Sequence, residues 1–357
     1  MLKMTKEICT QALYGGAVLG GGGGGHLPDG LATLDEAMKY SDTITLLSID
    51  ELDPQDIIIN ASMVGAPSAK DKYVDATHWI KCVDNFQKEY GKKISGIVSN
   101  ENGSMATANG WVVSAATGIP IIDAPSNGRA QPTSKMGSMS LATIPDYLTI
   151  QCACGGRGTY YLEVVAKGNL TTTANFIRQT AVFNGGMGAV LRNPMTAAYV
   201  KENGAIGGLS HAIEIGKLVM PLLGDCSKVV DALKNNYQAK YICSGTVSEF
   251  TLDMTGGFDV GCVTVEQEGK KYQAHYWNEY MALECDGERL NTFPDLICTL
   301  DAKTGMPKPS AAVAKGDDIV IIVIPRSQLK LGAGMFIPEL FAEVEPIIHK
   351  DMVRYLF

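Results

Sequence analysis

Three polar segments in the first half of the chain follow predicted strands and contain the residue types that acid–base chemistry needs. They are the segments 62–67 (SMVGAP), 99–104 (SNENGS) and 123–132 (DAPSNGRAQP). In open parallel sheets, ligands bind beyond the carboxyl ends of the strands, so we expect these segments at one edge of the sheet. There they bring together two carboxylates, a row of amides and a guanidinium, namely Glu101, Asp123, Asn100, Asn102, Asn127 and Arg129. Such a set can bind a small polar substrate and transfer a proton to or from it.

Glu101 or Asp123 is our candidate for the general acid or base that acts toward water. Arg129 has no charge partner within its own loop, so we expect it to face a ligand and to stabilise the oxyanion that forms at the attacked carbon. The alternative is that these segments are only turns, because Asn, Asp and Gly are the residues that turns require. The sequence leaves both interpretations open.

Six consecutive glycines, at 20–25, precede His26 in the stretch LGGGGGGHLPDG. No Gly-Lys-Ser/Thr follows them, and a predicted helix rather than a strand precedes them, so they form neither a P-loop nor a good dinucleotide-binding fingerprint. We expect the backbone N–H groups of Gly22, Gly23 and Gly24 to hold an anion or a carbonyl oxygen, with His26 at the edge of the site. The alternatives are a flexible linker and an ordinary loop histidine.

Alternating helix and strand patterns predict an α/β domain over residues 1–165, built on a mostly parallel sheet with helices. Apolar, β-branched runs predict strands at 43–49, 56–65, 94–100 and 120–126. Helices are predicted at 5–20, 31–40, 72–91 and 104–118. Asp29 is the expected N-cap of the second helix, and Gly91 is expected to end the third.

Residues 166–357 are predicted to form a helical connector followed by a β-rich C-terminal domain. Helical patterns cover 175–191 and 207–224, and from about 240 onward strand-like runs alternate with Gly, Asp and Pro turns. Asn278, Glu279 and Asp295 lie at the ends of such runs. We therefore count them among the candidate substrate-binding residues.

Composition excludes several classes of protein. The chain has 357 residues, 46% of them hydrophobic, which suits two core-forming domains. Its formal net charge of −8, without a cluster of Lys and Arg, makes nucleic acid and anionic membranes poor partners. No apolar stretch reaches the roughly 18 residues that a membrane span needs. The odd count of 9 cysteines and the absence of a signal-peptide pattern at the start indicate a reducing, cytoplasmic location.

Metal ligands are not assigned, although the sequence contains candidates. Cys152 and Cys154 form a C-x-C pair that suits either a metal or redox role or the simple alternation of a strand. His211 and Glu214 would be neighbours on a helix, where a capped or salt-bridged histidine is the commoner arrangement. His275 would share one strand face with Glu279. A divalent metal therefore stays open; if one is bound, its water would be the nucleophile.

The order of several motifs resembles the S-methyl-thiohydantoin desulfurase family. These motifs are LGGGGGG, MVGAP, NENG and GIPIIDAPSNGRAQP in the first half, then LSHAIEIGK, TGGFDVG, YWNEYMAL, CDG and TFPDLICTLDAKTG. The resemblance covers nearly the whole chain. Two positions depart from the family pattern: Pro125 stands where the family usually has Asp, and Thr133 where it usually has Glu.

The resemblance implies hydrolysis or desulfuration of a small cyclic amide, ureide or thioureide of the hydantoin or thiohydantoin type. It also implies hydantoinase or oxoprolinase proteins as partners, and it leaves a homo-oligomer open. The alternative is a non-catalytic subunit or binding protein that works beside such a partner, since two family carboxylates are replaced. A nucleotide-binding protein is a third, weaker hypothesis.

Overall fold

The protein is described by a computed structural model that covers residues 1–65, 69–255 and 258–356. The end of the predicted MVGAP segment and the first two glycines of the TGGFDVG motif lie outside the described residues.

The first sheet contains eight strands within the described residues, in the order β1-β2-β5-β4-β3-β8-β6-β7. Their bounds are β1 Leu2–Met4, β2 Ile44–Leu47, β3 Ile57–Gly65, β4 Gly96–Ser99, β5 Ile121–Ile122, β6 Leu148–Gly155, β7 Leu162–Asn169 and β8 Met187–Thr196. The strands β2, β5, β4 and β3 pair in parallel. The pairs β1–β2, β3–β8, β8–β6 and β6–β7 are antiparallel. The sheet is therefore mixed, and its parallel part coincides with the strands predicted from the alternating pattern.

The second sheet contains seven described strands in the order β13-β12-β11-β10-β9-β15-β14, and all its pairs are antiparallel. Their bounds are β9 Lys240–Thr255, β10 Phe258–Gln267, β11 Lys270–Trp277, β12 Glu279–Cys285, β13 Glu288–Thr292, β14 Leu296–Asp301 and β15 Asp318–Ile324. The predicted class, an α/β sheet followed by a β-rich C-terminal domain, is confirmed.

Helices flank the first sheet and lie between the two sheets. They are α1 Lys6–Leu19, α2 Leu27–Ala37, α3 Ala76–Tyr90, α4 Trp111–Thr117, α5 Leu170–Phe183, α6 Ala197–Asn203, α7 Gly208–Val219, α8 Cys226–Tyr237, α9 Pro338–Ala342 and α10 Glu345–Ile348. Gly91 ends α3 in the left-handed conformation, as predicted. No helix in the described ranges combines the length and the apolar character that crossing a bilayer requires.

Two predictions about helices were wrong. The helix predicted at 175–191 ends at Phe183, because Gly185 and Gly186 adopt φ values of 88° and 109° that stop it, and the following apolar run enters β8 between β3 and β6. Asp29 is not an N-cap, because α2 begins two residues earlier, directly after His26. The proline at the start of α2 fits the first turn, where a missing N–H costs nothing.

Helix α1 carries the glycine run to the junction of the two sheets. Its Leu13 packs in the core of the first sheet, whereas Val18 and Leu19 pack with β14 and β15. It crosses α7 at very short range: a Cβ on Gly15 would lie 1.8 Å from the carbonyl oxygen of Ala212. Only glycine permits that approach, so the crossing fixes where the chain leaves α1.

Candidate functional site

A cleft of about 850 Å³ lies where the glycine run meets both sheets. From the first domain it is lined by residues 62–65, 100–101, 131–135, α5 and Arg192. From the second it is lined by 258–259, 277–279 and 309–311. Residues 22–26, the end of the glycine run and His26, line it as well. The site is thus assembled from segments that are far apart in the sequence.

The glycine run is held by hydrogen bonds to both domains. The carbonyl of Gly21 accepts from the N–H of Tyr280 at 2.8 Å, and that of Gly22 accepts from the N–H of Ser310 at 2.8 Å. The carbonyl of Gly24 accepts from the N–H groups of Met105 and Ala106. A free linker has no such fixed partners, so the run is a structured turn.

Side chains are excluded from the run by its neighbours. A Cβ on Gly23 would lie 1.9 Å from Oε1 of Glu279, and one on Gly24 would lie 2.5 Å from Cα of Gly103. Gly22 and Gly24 have φ values of 97° and 74°, which L residues rarely adopt. The run therefore needs glycine both for its conformation and for its close approach to Glu279.

Glu101 is a buried carboxyl at the cleft. Its Oε2 accepts a hydrogen bond from the side-chain amide of Gln131 at 2.6 Å and a longer one, 3.3 Å, from the backbone N–H of Gln131. Burial raises the pKa of Glu101 to about 7, although that N–H and the charges of Arg192 and Arg129 oppose the rise. Glu101 therefore exchanges a proton near neutral pH.

Glu279 is a second buried carboxyl, and it follows a constrained turn. Asn278 has a φ of 56° and exchanges two hydrogen bonds with the backbone of Asp259, which orients the start of β12. Oε2 of Glu279 is buried without a hydrogen-bond partner among the described residues. Burial raises the pKa of Glu279 well above its usual value, and the charge of Glu101 raises it further. Both effects favour the protonated form of this carboxyl.

Arg129 lies behind the glycine run and is fully buried. Its guanidinium donates to the carbonyls of Pro294 and Asp295 at 3.2 and 2.8 Å, and it stacks over the ring of Phe293. Burial lowers its pKa to about 10, while the charge of Glu279 opposes this change. The expectation that Arg129 faces a ligand is wrong; it supports the run and acts on Glu279 through its charge.

The predicted site residues divide into those that line the cleft and those that do not. Lining it are Gly22, Gly23, Gly24, His26, Asn100, Glu101, Asn278 and Glu279. Outside the lining are Asn102, Asp123, Asn127, Arg129 and Asp295. The carboxyl ends of the parallel strands thus do meet near the cleft, but only part of each loop reaches it.

The displaced residues have structural partners. Asp123 accepts hydrogen bonds from the backbone N–H groups of Leu209 and Ser210, so it holds the first turn of α7 instead of acting on water. Asn102 donates to the carbonyl of Gly208. Asp295 accepts from the backbone and side chain of Arg326. These groups fix the loops behind the cleft.

Several cleft residues were missed from the sequence. They are Gln131, Arg178, Arg192 and Trp277. Gln131 lies inside the quoted segment GRAQP and could have been found there. Arg192 follows directly after the segment 175–191 that was predicted as a helix and lies in β8, so the direction of its side chain could not be predicted.

The candidate metal residues lie in separate places. No group of three or more His, Cys, Asp and Glu with a metal-binding arrangement occurs among the described residues. Cys152 and Cys154 lie buried in β6, and burial raises their pKa values to about 12 and 11. Burial lowers the pKa of His211 to about 4, and its ring packs on Tyr237.

The predicted pairing of His275 with Glu279 is wrong. A bulge follows His275, and its ring lies 3.5 Å from Glu284 instead. The residue at 278 adopts a positive φ that ends the simple alternation of the strand. His275 and Glu279 therefore belong to different environments.

Comparison with protein families identifies the chain. A model of the N-terminal domain of S-Me-THD-like proteins matches residues 9–164, and one of the C-terminal domain matches residues 168–335. The chain belongs to the S-Me-THD-like family. The abbreviation stands for S-methyl-thiohydantoin desulfurase, so this family's name refers to an enzyme, as the motifs suggested.

One similar solved structure is a protein from Chromobacterium violaceum determined by X-ray crystallography. It is 18% identical, covers 91% of this chain and 92% of its own, and superposes with a TM-score of 0.74. At that identity the likeness establishes the shared fold alone. A comparison with curated proteins found no match.

The two departures of this S-Me-THD-like chain from the family pattern lie in different surroundings. Pro125 is outside the cleft and packs against Gly208 at the start of α7. Thr133 lines the cleft, and its hydroxyl accepts a hydrogen bond from the N–H of Met136. Only the substitution at 133 therefore alters the cleft itself, and Glu101 and Glu279 are present there.

Proposed function

We propose that this protein is a hydrolytic enzyme that removes sulfur from a thiohydantoin-type ring, with Glu101 as the base and Glu279 as the acid. The observation that carries the proposal is the pair of buried carboxyls in one cleft with different proton affinities. A carboxyl that titrates near neutral pH is a good base at that pH, and one that keeps its proton is a good acid. The family match supplies the substrate class.

The reaction begins with addition of water to the ring carbon that carries the S-methyl group. Glu101 takes one proton from the water as its oxygen bonds to that carbon, and Glu279 gives its proton to the adjacent ring nitrogen. The product of this step is a tetrahedral carbon with hydroxyl and S-methyl substituents. Glu101 is then protonated and Glu279 is ionised.

The second step breaks the carbon–sulfur bond and restores both carboxyls. The hydroxyl of the tetrahedral carbon gives its proton to Glu279 as the ring carbonyl forms. The departing methanethiolate takes its proton from Glu101. The net reaction consumes one water and yields a hydantoin-type ring and methanethiol, with no oxidant or reductant required.

The glycine run packs directly against Glu279, and Oε2 of this carboxyl has no hydrogen-bond partner among the described residues that would compete with a substrate. Gly23 permits a close approach that any other residue would block. Arg129 stabilises the ionised form of Glu279 from behind, which matters at the intermediate where Glu279 is charged. In this proposal Arg129 is a positioning residue, since it does not contact the substrate.

The test is to measure turnover of an S-methyl-thiohydantoin by the purified chain. The methanethiol that is released is detected with a thiol reagent. We expect the rate to rise as pH passes about 7, where Glu101 loses its proton, and to fall at higher pH as Glu279 loses its own. Glu101→Gln and Glu279→Gln should each reduce kcat by about a hundredfold or more. Glu343→Gln is the matched control, because Glu343 is an exposed carboxylate at the cleft paired with Lys135.

If the ring is hydrolysed and no thiol is released, Glu101 and Glu279 would still act as base and acid. They would then act on a bond other than the carbon–sulfur bond. A second hypothesis, a non-catalytic binding subunit, is favoured by one observation, the threonine at 133 in the cleft. It predicts that the isolated protein binds the ring but that neither product forms. Turnover that is unchanged in both Glu→Gln variants would contradict the assignment of the carboxyls.

A further inference from the structure

Strand β7 is an uncovered edge of the first sheet. It pairs with β6 on one side, and in the described part of the chain its other side has no backbone hydrogen bond to another segment. Helix α5 packs on one face of this strand and α3 on the other, so only the edge itself is open. A row of N–H and C=O groups without partners is a template to which another strand can pair.

The other edges of the two sheets are short or covered. β1 has three residues and β13 has five. Along β14, the N–H of Lys308 donates to the carbonyl of Thr299, so a neighbouring segment of the chain covers that edge. β7 has eight residues without a proline, and its register with β6 has no shift. Prolines, bulges and short strands are the usual protections of an edge, and β7 has none of them.

The charges on β7 are arranged symmetrically about Val165. Glu163 precedes it by two residues and Lys167 follows it by two, and both side chains lie on the face toward α3. There Glu163 accepts a hydrogen bond from Asn85, and Lys167 forms an ion pair with Glu89. These partners fix the face on which each charge lies.

This pattern makes the edge complementary to a copy of itself. If two copies of β7 pair antiparallel with Val165 at the two-fold axis, Glu163 of each copy lies opposite Lys167 of the other. Opposite charges stabilise such cross-strand positions, and like charges destabilise them. If the axis moves by one residue in either direction, both charged side chains face uncharged ones. The charge pattern therefore favours a single register.

Exposed apolar side chains surround the same edge. Val165 is 42% exposed at the centre of the strand, and Leu148, at the adjacent end of β6, is 68% exposed. Tyr160 and Tyr161 are exposed directly before β7, and Phe183 is exposed at the end of α5. Tyr and Phe are enriched at protein–protein interfaces, and a group of exposed apolar side chains marks an interaction site.

We propose that the β7 edge binds a second copy of this chain, so that two eight-stranded sheets join antiparallel into one continuous sheet. The partner is a copy of the chain because the charges of the edge complement each other only across a two-fold axis. This pairing is independent of the proposed reaction, since no described residue of β7 lines the cleft. The joined edge lies beside the cleft nonetheless, because α5 both packs on β7 and lines the cleft through Phe176 and Gln179.

Sedimentation velocity of the full chain measures the association at protein concentrations of about 1 µM to 1 mM. We expect an equilibrium between monomer and dimer, with a dissociation constant that rises as salt is added, because salt screens the paired charges. Hydrogen exchange then locates the interface. The amides of β7 should exchange more slowly at concentrations where the dimer forms.

Reversal of the charges tests the register. Lys167→Glu should raise the dissociation constant of the dimer at least about tenfold, because both cross-strand pairs then bring like charges together, and Glu163→Lys should do the same. A mixture of these two variants should form heterodimers, since every opposing pair again joins opposite charges. Val165→Lys, at a half-exposed position, should also weaken the dimer because two positive charges meet at the axis, and it keeps the test valid if a reversal does not fold.

Lys201→Glu is the matched control. Lys201 lies on α6 and pairs with Asp50, as Lys167 pairs with Glu89, so its reversal removes an exposed ion pair within the chain without changing β7. We expect this control to leave the dissociation constant of the dimer within about twofold.

Four results would overturn the proposal. A parent chain that stays monomeric up to about 1 mM refutes the dimer, and slowly exchanging β7 amides in that monomer would mean that another part of the chain covers the edge. A dimer that the reversals and Val165→Lys leave unchanged uses a different surface. A mixture of the two reversed variants that stays monomeric refutes the register, and polymers that grow with concentration refute the two-fold axis.

Discussion

Replacing Glu101 with glutamine should stabilise the protein at alkaline pH while removing the proposed base. In the folded protein the pKa of Glu101 is raised from 4.5 to about 7 by burial. A carboxyl with a raised pKa contributes its full stability below the pKa of the unfolded chain, and that contribution is lost as pH rises toward the folded pKa. At about 1.4 kcal/mol for each pH unit between the two values, the loss is about 3 kcal/mol above pH 7.

Glutamine should avoid this loss because it is never ionised. Its side-chain oxygen can accept the same hydrogen bonds from Gln131 that Oε2 of Glu101 accepts. We therefore expect Glu101→Gln to raise the free energy of unfolding by about 3 kcal/mol at pH 8. At pH 4 the gain should be close to zero, since the carboxyl is then neutral in both states.

Urea denaturation at pH 4, 6 and 8 measures the difference. Glu284→Gln is a control of opposite sign: burial would raise the pKa of Glu284, but hydrogen bonds from Lys350 and Arg289 outweigh it and hold the pKa below its usual value. That variant should lose stability at pH 8. A Glu101→Gln protein that is no more stable than the parent at pH 8 would refute the reasoning about burial.

Three further substitutions test the support of Glu279. Gly23→Ala should cut kcat at least about tenfold, since its Cβ would lie 1.9 Å from Oε1 of Glu279 and must displace that carboxyl; steady-state kinetics with unchanged kcat would show that the approach is not needed. Arg129→Lys should cost about 2–3 kcal/mol in urea denaturation, because lysine cannot reproduce the buried fork. Arg129→Gln, which also removes the charge, should move the alkaline limb of the rate profile to higher pH, and an unshifted limb would deny any action of Arg129 on Glu279.

Much of the fold followed from local patterns in the sequence. The strands β2, β3, β4 and β5 are short apolar, β-branched runs, and α3 has both a helical period and a closing glycine. Such features depend on residues close together in the chain, so they can be predicted without the tertiary structure. The helix prediction at 175–191 failed because an apolar run does not distinguish a buried helix from a buried strand.

The candidate site was predictable in part for the same reason. The residue types in the loop at 100–102 and in the glycine run indicated an acid near backbone N–H groups, and Glu101 and Gly23 do lie at the cleft. Asp123 has the same type of side chain as Glu101 and a similar position after a strand. It became a partner of the first turn of α7, which is formed by residues more than eighty positions away.

The sequence by itself determined the fold class, the family and the kinds of group available for chemistry. Only the tertiary structure decided which of those groups share a cleft and in what state of protonation. Glu279 and Arg192 come from distant strands, and their buried surroundings depend on how the two sheets pack. Because burial sets the pKa values of such carboxyl and guanidinium groups, these properties are absent from any local stretch of sequence.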